Sequence, residues 1–237
     1  MPLAFGLTFV VATLSLKLWN KMAINYFIFD MDGTLYDFDS SDFKSSKFYN
    51  DAKGKIYEFF MRRFALSFEE SKEMFEELNK SYNGEVSIGI EKEYKIDRYG
   101  YFKETFGRMR PEDYIRKNPE VKKLFEDIGG KAAILTAAPR VWAKKVLRYL
   151  DIYELMKDSL FTGESDTRKP DIRAFQEIVD FFGVPPEQIY SIGDQEHSDI
   201  LPAKNLGMKT IIVGKSRKAD LEARSFNEVI KLIGELK

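Results

Sequence analysis

The sequence predicts an α/β fold in which a doubly wound, mostly parallel sheet is interrupted by an inserted helical domain. Three observations predict it: short apolar runs of strand length recur along the chain, helices with readable starts and stops separate them, and one long stretch shows helical periodicity without any strand. Residues 24–29 form the first run, rich in aromatic and β-branched side chains, and it stops at Asp30. Runs at 132–135, 159–161, 189–192 and 210–213 repeat the design. Between them, Asn118 and Pro119 read as the cap and first turn of a helix, and Pro170 opens another over residues 171–182. Gly130 and Gly183 fall where those helices should stop. Sheets of this kind take their ligands at the carboxyl ends of the strands.

Residues 38–115 break the alternation. Phe48, Ala52, Ile56, Phe59, Phe60 and Phe64 recur at spacings of three and four, and Ser67 with Glu70 announces a second helix as a capping box, with Phe75 and Leu78 on its apolar side. This stretch holds 17 of the 34 aromatic residues, so most of its rings are expected to form the core of a small helical bundle, with one or two facing a ligand. The expected organisation is therefore an apolar extension over 1–21, a catalytic core from 22–37 and 116–237, and a helical insertion over 38–115.

The segment from 2 to 16 is uncharged and largely apolar, like the middle of a secretory signal. It has no Lys or Arg ahead of the apolar run, no clear small-residue cleavage site, and falls short of the roughly 20 residues of a membrane span. Met22 stands just before the first strand, so the extension reads as a non-native or upstream start and the domain as complete from Met22. The expectation is a cytoplasmic protein with no membrane partner.

Composition narrows the chemistry. With 37 basic against 38 acidic side chains there is no net field to draw the protein to nucleic acid or an anionic membrane, so an anionic ligand must be held locally. Cysteine is absent and histidine occurs once, at His197, which excludes disulfide frameworks, thiolate zinc sites, cysteine nucleophiles and multi-histidine metal centres. Carboxylates, Lys, Ser and Thr remain. His197 itself reads as an exposed loop residue.

Asp30 to Asp37 reads DMDGTLYD and leaves directly from the first strand. A carboxylate at a strand end suits a nucleophile or metal ligand, and a second one two residues on, pointing elsewhere, suits acid/base work. Gly33 lets the chain turn and bring backbone amides toward a phosphate. Such a run is expected by chance in about one in several thousand chains of this length. Taken singly, Thr136 could simply end a strand, Lys169 beside Arg168 could be a solvated pair, and Asp194 and Asp199 could cap a helix. Their joint order and strand context argue otherwise.

In these motifs the sequence resembles the haloacid dehalogenase (HAD) superfamily of phosphohydrolases. Asp30 to Thr34 matches its first motif, Thr136 the residue ending its second strand, Lys169 in TGESDTRKPD its lysine, and Gly193, Asp194 and Asp199 in SIGDQEHSDI its last motif. The resemblance spans about 24–214 and implies a Rossmann-like core with a helical cap. It departs at Ala137, where many relatives carry Asn, and at Gln195, where Ser is frequent. Neither change removes a group the chemistry requires.

The resemblance implies a magnesium-dependent phosphomonoester hydrolase working through a phosphoaspartyl intermediate. Asp30 is then the nucleophile and Asp32 the acid/base. Asp30, the backbone carbonyl of Asp32, and Asp194 hold Mg²⁺, with Asp199 as a further ligand or support. Lys169, Thr136 and the amides of Met31 and Asp32 hold the phosphoryl oxygens. The partner is a small phosphorylated metabolite, not a nucleic acid polymer. The cap, with Tyr94, Tyr99, Tyr101 and PEDYIRKNPE, looks most like the pyrimidine 5′-nucleotidase branch, and Tyr82, Tyr94, Tyr99, Tyr101 and Phe102 are the rings from which one or more could face a nucleobase while most pack the cap core. Phosphoglycolate- or sugar-phosphate phosphatases and phosphomutases share the architecture and stand as alternatives.

Overall fold

A computed structural model describes residues 25–40, 43–165 and 167–236. Six strands, β1 (Tyr26–Phe29), β2 (Ala132–Leu135), β3 (Leu160–Phe161), β4 (Ile189–Gly193), β5 (Lys209–Val213) and β6 (Leu221–Ala223), form one sheet in the order β3-β2-β1-β4-β5-β6. Every neighbouring pair is parallel. The chain moves outward from β1 to β2 and β3, then returns to the other side of β1 with β4. The reversal leaves a crevice beyond the carboxyl ends of β1 and β4, where doubly wound sheets bind ligands.

All four residues of β2 and all five of β4 are buried, as a sheet covered on both faces requires. Side-chain alternation sorts the core. Phe27 and Phe29 pack with Ile134, Ile192 and Ile211 against α5 (Pro119–Ile128), α6 (Arg140–Tyr149) and α10 (Phe226–Leu236). Ile28 faces the other way, with Ala133 and Leu135, onto α8 (Ile172–Phe182). The short α7 (Tyr153–Met156) and α9 (Leu201–Asn205) complete the helices around the sheet.

Between β1 and α5 lie α1 (Lys47–Phe64), α2 (Phe68–Ser81), α3 (Val86–Tyr94) and α4 (Arg98–Glu104). Ser46 starts α1 by accepting the Tyr49 amide, and α2 opens on the expected Ser67–Glu70 capping box. These helices have their own core, built from Ile56, Phe59, Phe60, Phe75, Leu78 and Ile90 among others. They are tied to the sheet by charge. Arg98 on α4 donates to the carbonyls of Gly163 and Glu164, each at 2.9 Å, and Arg168 pairs with Glu85 at 3.2 Å.

Several local expectations are corrected. The third strand omits Ser159, whose amide instead closes a turn onto the Met156 carbonyl. Gly129 rather than Gly130 ends α5. Helix α8 is capped by Asp171, whose carboxylate accepts the Arg173 amide, so Pro170 precedes the helix. Strand β6 gave no sequence signal, being three residues with a central exposed Glu222. The extension over 1–21 and the start at Met22 lie outside the described residues. No helix among the described residues is long and apolar enough to cross a membrane.

Candidate active site

The crevice gathers residues from the ends of β1, β2 and β4 and from the loop ahead of α8. The Asp30 amide donates to the Ile192 carbonyl at 2.8 Å, extending the β1–β4 ladder by one residue, so the Asp30 side chain leaves at the edge of the sheet. One carboxylate oxygen accepts from Thr34 Oγ1 at 3.0 Å, and the other accepts from Lys169. Lys169 also donates to Asp199 at 2.7 Å, and all three residues are buried. Burial pushes the Asp30 carboxyl well above the usual carboxylate range; Lys169 opposes that, while Asp199 and Asp194 reinforce it. For Lys169, burial alone would depress the ammonium, but the two carboxylates reverse it and hold the proton above the ordinary lysine value.

Asp194 follows β4, and its carboxylate comes close enough to those of Asp30 and Asp199 that oxygens of all three lie within 4.8 Å of one another. Two glycines make this crowding possible. A Cβ on Gly33, whose φ is +83°, would stand 2.6 Å from Asp194 Oδ2, and one on Gly193 would collide with the Asp199 carboxylate. Asp194 Oδ1 is buried with no hydrogen-bond partner among the described residues. Burial, with repulsion from Asp199, raises its carboxyl to about 6.

A buried carboxylate oxygen with no donor, inside a cluster of hard oxygen ligands, fits a magnesium ion. Asp30, Asp194 and Asp199 are the carboxylates placed to hold it, as ligands or, for Asp199, as support. Asp199 also accepts from Lys169 through Oδ1 and from the Gln195 amide through Oδ2 at 2.9 Å, which fixes Lys169 beside the cluster. The carboxylate of Asp32 lies outside this cluster.

Asp32 turns toward three donors. Tyr36 and Trp142 donate to Oδ1, the indole at 3.1 Å, and Thr136 donates to Oδ2 at 3.3 Å. Burial raises the Asp32 carboxyl, and these donors partly offset it. Thr136 thus engages Asp32, while its oxygen accepts the Ala138 amide at 3.0 Å. Met31 buries its side chain in the core, which leaves its backbone alone for any ligand. Tyr36 and Trp142 were missed from sequence: Tyr36 sits in the first motif, but Trp142 reaches the site from α6, far along the chain.

The cleft between the sheet edge and the helices has a volume of about 1100 Å³ and is lined by Asp30, Asp32, Thr136, Lys169 and Asp194 on one side. The ring expectation holds for two of the five. Of the five proposed, only Tyr101 and Phe102 line the cleft, and Tyr101 is 1% exposed, its ring packed in the helical core. Tyr94 and Tyr99 are exposed on the outer surface. The rings at the cleft come instead from Phe48 and Tyr49 on α1, with Phe75 and Phe106. His197 is exposed, as expected, but at the cleft's rim.

Magnesium binding is expected to be pH-dependent through Asp194. In the metal-free protein this carboxyl is raised to about 6 from the ordinary 3.8, so its contribution to stability falls as pH rises between those values. Mg²⁺ needs the ionised form. A thermal-shift titration should therefore show a larger Mg²⁺ stabilisation at about pH 7.5 than at about pH 5, approaching about 2.7 kcal/mol at a hundredfold excess over Kd. A shift independent of pH, or one retained in Asp194→Asn, counts against the assigned ligand.

A parallel sheet reversing at β1, with carboxylates at the ends of β1 and β4 and a buried lysine between them, defines a ligand site at the switch point of a doubly wound sheet, under a helical cover. The sequence profile of haloacid dehalogenase-like hydrolases matches residues 24–207, and the chain belongs to that family. It is 29% identical over 124 residues to a glyceraldehyde 3-phosphate phosphatase of Pyrococcus furiosus, covering 49% of this chain and 51% of that one. A glyceraldehyde 3-phosphate phosphatase of Methanopyrus kandleri is 26% identical over 217 residues, covering 85% of this chain and 89% of that one. The chain thus spans about half the length of the first relative and most of the second. The crystal structure of a HAD phosphatase from Thermococcus onnurineus superposes with a TM-score of 0.62 at 18% identity, over 89% of this chain and 98% of that one, a likeness of fold.

Proposed function

We propose that the protein is a magnesium-dependent phosphatase of small phosphorylated metabolites, with sugar phosphates favoured over pyrimidine nucleotides. The observation that carries the reading is the Asp30–Lys169–Asp199 arrangement at the sheet's switch point, beside the unpartnered Asp194 oxygen. Asp30 is the nucleophile: one carboxylate oxygen forms the bond to phosphorus as the bond to the ester oxygen breaks. The bound metal ion would offset the repulsion between that carboxylate and an anionic phosphate. Lys169 adds a second positive charge on the same side, held in place by Asp199. Asp32, once turned into the cleft, gives its proton to the departing alkoxide and then takes one from the water that hydrolyses the phosphoaspartate. Thr34 orients the Asp30 oxygen it contacts, and Lys169 and the backbone after β1 hold the phosphoryl oxygens.

The relatives named for glyceraldehyde 3-phosphate support the sugar-phosphate alternative over the nucleotidase branch suggested by the cap sequence. The test is inorganic phosphate release with Mg²⁺ from glyceraldehyde 3-phosphate, a hexose phosphate, phosphoglycolate, and uridine and cytidine monophosphates. A sugar phosphate is expected to lead the two nucleotides in kcat/KM; a nucleotide leading by about tenfold rejects the preference, and phosphate retained on an isomerised sugar points to a mutase instead.

A further inference from the structure

The two walls of the cleft differ in charge. The sheet side carries Asp30, Asp32 and Asp194 with Lys169 and Arg224, whereas the helical side carries Lys53 and Arg98 with Glu85. Lys53 projects from α1, partly buried, and its ammonium lies 4.9 Å from the centre of the Tyr49 ring. It has no carboxylate ion pair among the described residues, although Lys47 and Lys55 on the same helix are paired with Asp51 and Glu58. Arg98 is 8% exposed and spends its donors on the Gly163 and Glu164 carbonyls and the Ser87 hydroxyl, so its charge is retained. The carboxylates that line the cleft outside the sheet-edge site do not restore the balance: Glu85 is paired with Arg168, and Asp37 is exposed at the mouth. Phe48, Ile56, Phe75 and Phe106 give this wall its apolar surface.

We propose that Lys53 is a specificity-determining residue that contacts a second anionic group on the leaving alcohol. The preferred substrates are then phosphomonoesters whose alcohol part joins an apolar body to a carboxylate or a second phosphate. This rests on the phosphatase reading. A phosphate held at the sheet edge directs the rest of the molecule toward the helices, where a partly desolvated ammonium flanked by an aromatic ring lacks a counterion that the ligand can supply. A neutral triose leaves Lys53 unpaired and occupies little of a cleft of about 1100 Å³. The chain's preference therefore departs from the substrate for which its relatives are named.

The experiment measures phosphate release by the full chain with Mg²⁺ on matched esters. Phenyl phosphate is set against 4-carboxyphenyl phosphate, and glycerol 3-phosphate against 3-phosphoglycerate and propane-1,3-diol bisphosphate. The charged member of each set is expected to lead by about tenfold in kcat/KM, chiefly through KM, as for a hydrogen bond to a charged group. Which charged glycerol analogue leads distinguishes carboxylate from phosphate. Lys53→Gln is expected to bring the ratio close to one, and Lys53→Arg to keep most of it. Equal rates within each pair, or a ratio unchanged in Lys53→Gln, overturn the inference while leaving the phosphatase reading intact. Release from none of the esters overturns both.

Discussion

Asp30→Asn is expected to lower phosphate release by at least about 10⁴-fold without loss of the fold, since an amide cannot form the acyl phosphate. The stability side follows from the same site. Burial and two neighbouring carboxylates already oppose the Asp30 charge, and only Lys169 and the Thr34 hydroxyl favour it. The amide keeps an oxygen for Thr34, and Lys169 keeps Asp199. The thermal midpoint in the absence of Mg²⁺ should therefore equal or exceed that of the unmodified protein. Phosphate release within tenfold of the parent rate would falsify the nucleophile assignment, and a collapsed melt would assign Asp30 to structure instead.

The second large effect belongs to Lys169→Met. It removes the cation that, among the described residues, contacts both Asp30 and Asp199, so activity should fall by about 10³-fold, in line with loss of a group aimed at transition-state charge. Its effect on folding has a sign that can be worked out. Without Lys169 the folded-state Asp30 carboxyl rises further above the unfolded value of about 3.9, so the folded protein holds a proton that the unfolded chain releases. The variant is then closest to the parent near pH 4 and loses stability progressively as pH rises through the folded-state values. Breaking a buried pair costs about 3–5 kcal/mol when the remaining charge cannot neutralise. Urea melts in chelator at about pH 5 and about pH 8 should give a clearly larger deficit at the higher pH. A deficit that does not change with pH would mean that Lys169 contributes packing alone.

Much of this site was legible because three of its motif residues sit where a strand ends. Asp30, Thr136 and Asp194 can be placed from the apolar runs before them, since parallel strands put their carboxyl ends on one edge. The boundaries read less well for local reasons: Asp171 outcompetes Pro170 as the start of its helix because it has a side-chain acceptor for the Arg173 amide. Strand β6 was invisible because a three-residue edge strand has too little periodicity to register. Which of the cap rings reach the cleft was not legible, because helical spacing says which residues share a face, but not which way that face turns once four helices pack together. Tyr101 and Tyr99, two residues apart on α4, end up one in the core and one in solvent. The contact of Trp142 with Asp32 joins residues 110 positions apart, and nothing local encodes it.

That contact also makes the protein its own optical sensor. Trp142 is fully buried, and its indole N–H rests on the carboxylate expected to turn toward the substrate. Its excited state places dipole and charge next to that group, so its emission reports whether Asp32 is resting against the ring or has left it. The chain has one other tryptophan, Trp19, whose replacement by Phe isolates the signal. Stopped-flow fluorescence then times the aspartate's movement in the unlabelled enzyme, separately from the appearance of phosphate.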